Sequence, residues 1–374
     1  MIRTHLLRPA RFAAAGLCAL VIAGCASGGG SNTPPTEPLA VRPDLSWKIS
    51  TRYQVDLWLH GYALVQDDTT LVPYFKRGYR DSMEALKKQG GITTQLDAHR
   101  DSLHALMRTD ARLVNGQFLG LYFRSWDAMQ KAVDSYLKAS VNTGDTRGRI
   151  MDADTRSVFG IIASSYSTPA GRDWLRTFTA ALQDEDTKYY ANYWRTQQTD
   201  RAAIVAAVDS LWTQTYFPKF RPFLTKSGQA RGEILLSLPL DGEGRTLGEP
   251  TRGPTIAIAF PDSVSHAVDA LYVLTHEVVS TVSNKAVDDN TTPAEKREGV
   301  GDKYTSAAAV RGGYLLLQKI APELATGFAR YYLNAAKISF TEGDEAAALE
   351  RAFPLRKIIQ DQLVSDINKS TTGS

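Results

Sequence analysis

Two short apolar runs interrupt a chain whose other apolar residues recur mostly at helical spacing. They are Gly232-Glu233-Ile234-Leu235-Leu236-Ser237-Leu238-Pro239-Leu240 and Thr255-Ile256-Ala257-Ile258-Ala259-Phe260. Both are shorter than a typical buried helix, rich in branched residues and bounded by turn formers, so both are strand candidates. The glycine-rich stretch Asp241 to Gly253 separates them. Upstream, Trp47, Ile49, Tyr53, Leu57, His60, Tyr62 and Leu64 suggest one helix, and segments near 74–89, 96–108, 112–140, 152–165, 169–185 and 200–215 suggest more. Ser167-Thr168-Pro169 supplies a capping hydroxyl ahead of a first-turn proline. Helical spacing returns over 265–286, 304–320, 322–332 and, with a break at Pro354, from Asp344 onward. Helices, then a small sheet, then a helix laid against it predict a predominantly helical α+β fold.

The 374 residues carry 43 Lys+Arg against 40 Asp+Glu, a net charge of +3. All of that excess sits in the first 24 residues, where Arg3, Arg8 and Arg11 meet no acidic residue. The remainder is neutral, so no basic field recommends a nucleic acid partner. The same leader continues from Phe12 to Gly24 as a run of about a dozen apolar or small residues, shorter than the roughly 20 needed to span a bilayer. It is expected to act as an export signal over 1–24. Residues 25–44, rich in Gly, Ser, Thr and Pro, form the expected tether, followed by a helical region over 45–227 and a second region over 228–374.

Ile22-Ala23-Gly24-Cys25 resembles the lipobox of bacterial lipoproteins. The resemblance implies cleavage before Cys25, a diacylglycerol thioether on its sulfur and an acylated amino group. Ala26 is not the aspartate that favours inner-membrane retention, which points to the outer membrane of the cell envelope. The only other cysteine, Cys18, lies in the leader, leaving no thiol for a disulfide or a metal.

Leu274-Thr275-His276-Glu277-Val278-Val279-Ser280 falls on the helix expected after the second strand. Strands followed by a His-Glu helix resemble the zincin metallopeptidases, whose H-E-x-x-H motif sets two zinc-binding histidines on one helix face with a general-base glutamate beside the first. Glu298-Gly299-Val300-Gly301-Asp302-Lys303-Tyr304 resembles the later phrase from which the gluzincin subgroup takes a glutamate ligand. The resemblance implies His276 and Glu298 as zinc ligands and Glu277 as the general base. Ser280 occupies the second histidine's place, and a hydroxyl is a poor zinc ligand. No histidine follows His276, so a replacement must fold back from elsewhere; His60, set among Leu57, Trp58, Leu59 and Tyr62, is the first choice. Zinc binding is therefore expected to be weak or absent. The chain is either a pseudoenzyme or atypical hydrolase that holds or acts on polypeptide, or a noncatalytic helical lipoprotein that binds an envelope partner.

Other chemistries lack their motifs. Gly242-Glu243-Gly244 with Gly248 lies between strand candidates with no helix after it, unlike a dinucleotide or phosphate loop. Tyr189-Tyr190-Ala191-Asn192-Tyr193-Trp194 could line a groove, but its spacing suits a packed helix face at least as well.

Overall fold

Trp47–Ser50, expected to open a helix, is instead a strand, β1. A computed structural model of the protein describes residues 46–67, 70–141, 153–248 and 253–371; the leader, Cys25 and the tether fall outside them. The four residues of β1 alternate buried and exposed at their start, Trp47 in and Lys48 out, and pair in parallel with β2 (Gly232–Ser237). Gly232 is required at this join, because a Cβ there would come within 2.8 Å of the Trp47 ring. Long-range pairing overrides the apolar spacing that continues into the helix beyond.

β2 pairs in parallel with β4 (Thr255–Ala259), and β4 pairs antiparallel with β3 (Arg245–Leu247), giving the order β1-β2-β4-β3. The sheet is thus four-stranded rather than two-stranded. β3 escapes a sequence reading because it is three residues long and flanked by glycines.

The chain is an α+β protein, predominantly helical. Between β1 and β2 lie α1 (Tyr53–Val65), α2 (Tyr79–Gln89), α3 (Gln95–Thr109), the short α4 (Arg112–Asn115), α5 (Trp126–Val141), α6 (Ala153–Tyr166) and α7 (Pro169–Glu185). They are followed by α8 (Ala191–Asp200), α9 (Ala202–Ser210) and α10 (Phe217–Lys226). Thr168 caps α7 as expected, its hydroxyl accepting the Gly171 N–H at 3.1 Å. A π-helical turn, Asp186–Tyr190, joins α7 to α8, and another, Leu211–Tyr216, joins α9 to α10. After β4 come α11 (Asp269–Asp289), the short α12 (Pro293–Arg297), α13 (Asp302–Ile320), α14 (Pro322–Ala335), α15 (Glu345–Ala352) and α16 (Lys357–Thr371).

The sheet divides two hydrophobic cores. Ile234, Leu236, Ile256 and Ile258 point into one, with α11, α13 and α14, while Leu235 and Ala257 point into the other, with α1 and α7. Alternation thus feeds opposite cores from consecutive residues, which is why both strands read as unbroken apolar runs. On the second side α1 is central, buried from Gln54 to Val65. Among the described residues, no helix is long and apolar enough to cross a membrane.

Candidate functional site

α11 crosses the sheet beneath β4 with Ala270 to Val279 buried, and this burial encloses the two polar residues of its motif. His276 is 4% and Glu277 6% exposed. Burial at that level demands polar partners. His276 Nδ1 lies 3.0 Å from Glu277 Oε1, and Glu277 Oε2 accepts the Thr246 hydroxyl of β3 at 2.9 Å. The carboxylate is therefore the bridge between the helix and the sheet edge. The approach is close because residue 244 is glycine: a Cβ there would lie 2.9 Å from Glu277 Cγ and 2.6 Å from the Ala257 carbonyl oxygen.

The segment linking β2 to β3 closes over this pair. It is held from behind by Asp241 N–H to Tyr74 O (2.8 Å) and Glu243 N–H to Pro73 O (3.0 Å). Tyr332 of α14 stacks on the His276 ring, centroids 5.5 Å apart, and donates its hydroxyl to the Gly242 carbonyl at 3.1 Å. Glu243 accepts the Ser306 hydroxyl of α13 at 2.7 Å. Burial by itself would push the His276 pKa down, but the hydrogen bond to Glu277 and the charges of Glu243 and Glu277 raise it overall. His276 Nε2, also buried, has no hydrogen-bond partner among the described residues.

Of the residues implied by the zincin resemblance, His276 and Glu277 are paired, and no contact joins Glu298 to them among the described residues. Glu298 is exposed, closing the last turn of α12 with its backbone N–H on Ala294 O at 3.1 Å. The Ser280 hydroxyl is spent on the Glu277 carbonyl of its own helix at 2.6 Å. His60 has both ring nitrogens engaged in the other core, with Tyr79 Oη at 3.0 Å and Glu185 Oε1 at 3.1 Å. Among the described residues no three His, Cys, Asp or Glu side chains are grouped to hold a metal.

The His60 constellation is larger and closed. Glu185 is fully buried and receives Lys87 Nζ at 3.0 Å as well as the Thr94 hydroxyl; Lys87, 2% exposed, also meets Asp97 at 2.5 Å. Burial pushes the His60 pKa down. Burial alone would raise that of Glu185, but its hydrogen bonds and charged neighbours hold it at about 2. Lys87 is the physical counter-charge: a neutral His60 donates from Nε2 to Glu185 and accepts the Tyr79 hydroxyl at Nδ1. Of the remaining histidines, His99 is exposed and His104 bonds Asp67 at 2.9 Å. Tyr189 and Tyr190 are buried beside His60, and Tyr193 and Trp194 are half-buried against both cores, so this stretch is packed rather than open.

Two open clefts lie elsewhere. One, about 290 Å³, is bordered by Arg80, Arg100 and His104; the other, about 440 Å³, by Asp134, Arg176 and Thr179 between α5 and α7. Neither adjoins His276.

Thr246, Glu243, Ser306 and Tyr332 are the partners that the sequence reading missed. One signal was present: a carboxylate set between two glycines, directly after the strand that leads toward the His-Glu helix. In comparisons with known proteins the chain matches no family model, no curated protein and no solved structure.

Proposed function

We propose that this is an envelope protein, anchored by lipid at Cys25, whose C-terminal region is a zincin-like scaffold that holds extended polypeptide without cutting it. The observation that carries this reading is the commitment of Glu277. A general base must reach a water beside the scissile bond, whereas both Glu277 oxygens are bonded inside the protein, to His276 and Thr246. The exposed position of Glu298 and the self-satisfied Ser280 argue the same way against hydrolysis. Support for a polypeptide ligand comes from β3, a sheet edge that pairs only with β4 among the described residues. Such an edge can accept a further strand through its backbone groups.

The test uses the soluble body, residues 45–374, with a fluorescent, permanently unfolded polypeptide as probe. Saturable binding, with no stoichiometric zinc and no cleavage on adding zinc, is the expected result. Zinc-dependent cleavage would replace the reading with an atypical hydrolase, and absence of binding would leave the scaffold without its proposed ligand. Separately, Cys25→Ala in the full chain should abolish acyl labelling and release the protein from the membrane fraction. Retention of label would remove the anchor.

A further inference from the structure

β3 is a sheet edge whose backbone polarity is set by the strand behind it. Pro254 O accepts the Glu233 N–H at 2.9 Å, and the Phe260 N–H donates to Ser237 O at 3.0 Å, so the even-numbered residues of β4 face β2. Thr255 and Ala257 therefore face β3, where they oppose Leu247 and Arg245. Thr246 opposes Ile256, whose N–H and C=O are turned toward β2. Backbone groups alternate sides along a strand, so Thr246 directs its N–H and C=O outward. No further strand lies beyond it among the described residues.

Side chains alternate across the same three residues. Thr246 faces α11, where its hydroxyl donates to Glu277. Arg245 and Leu247 face the other side of the sheet. Leu247 packs against the core around α1, and the exposed Arg245 guanidinium lies over Phe118, in the turn Gly116–Tyr122, 5.5 Å from the ring centroid. Among the described residues no carboxylate pairs with Arg245. The ring holds the cation in place at the edge, and its charge is unanswered.

We infer, on the footing of the polypeptide-holding function proposed above, that Arg245 and Leu247 select what this edge accepts: an extended segment in which an acidic side chain stands two residues from an apolar one. A strand paired with the Thr246 N–H and C=O sets one residue opposite Thr246, with its side chain on the Glu277 face. The residues on either side of it then stand beside Arg245 and Leu247. A carboxylate beside Arg245 meets an opposite charge at cross-strand distance, and an apolar side chain beside Leu247 extends the contact with the core. The middle position takes a neutral or basic side chain, because Glu277 lies on its face of the sheet.

The test is binding of two fluorescent heptapeptides to the full-length protein in a nonionic detergent. In one, threonine alternates with valine and aspartate; in the other, lysine replaces each aspartate. The aspartate peptide should bind about fivefold more tightly, and Arg245→Glu, an exposed change, should reverse the order. Equal affinities for the wild type, or a preference that Arg245→Glu leaves unaltered, overturn the selection while the binding itself upholds the polypeptide-holding function. If unfolded polypeptide binds and neither heptapeptide does, the ligand lies elsewhere than β3 and the selection is overturned as well. Failure of all three probes removes the holding function, and the selection with it.

Discussion

Two buried histidine–glutamate pairs stand among the described residues, and they are finished to different degrees. Around His60 and Glu185 each charge has a counter-charge and both ring nitrogens have partners. Around His276 and Glu277 the carboxylate is fully bonded, but Nε2 is left over and the nearest further charge, on Glu243, has the same sign as Glu277. The first arrangement has the character of a structural joint, since a completed network rigidifies what it connects. The second tolerates an unmet atom in the core, which is the kind of imperfection that functional sites carry.

The largest expected effect that tests this contrast is at Lys87. Lys87→Met leaves Glu185 charged and enclosed without a cation, and should cost about 3–5 kcal/mol in chemical denaturation. A loss under about 1 kcal/mol would mean the network is not closed by charge. Next comes acid. Glu185 has its pKa lowered from 4.5 to about 2, so its stabilisation is present above about 4.5 and disappears as pH falls toward 2. Wild type should lose stability over that interval relative to Glu185→Gln, measured as the difference between their unfolding free energies; parallel pH curves would contradict this.

A smaller effect compares the imidazoles directly. His60→Phe strands Tyr79 but leaves Glu185 paired with Lys87, and should cost about 1–2 kcal/mol, while His276→Phe removes the one partner of buried Glu277 that can carry a positive charge and should cost about 2–3 kcal/mol. Equal costs would erase the distinction between the two pairs. The smallest is Glu298→Ala. As an exposed cap residue it should shift stability by under about 0.5 kcal/mol and leave metal content unaltered. A variant that lost bound zinc would restore Glu298 to the site.

How far the sequence foretold this depends on distance along the chain. β2 and β4 were visible because burial on both faces makes parallel strands continuously apolar. β1 was not, because four residues acquire strand identity only from Gly232 and its neighbours, far along the chain. His276 and Glu277 could be located on their helix from the motif and the strand before it. Glu243, Ser306 and Tyr332 converge on them from three separate segments, and nothing local to any of the three announces the meeting. His60 could be read as a buried, hydrogen-bonded residue from its apolar setting, yet its partners Glu185 and Lys87 could not.

The parallel pairing of β1 with β2 also sets an order of events during synthesis. Trp47 leaves the ribosome before the whole helical body, and its partner Gly232 follows only after α10. At roughly 5–20 residues per second the first strand waits on the order of ten to forty seconds for its place in the sheet. For a chain read as exported, that interval is the time in which translocation machinery can keep the polypeptide threadable: the sheet cannot knit shut until most of the protein has been made.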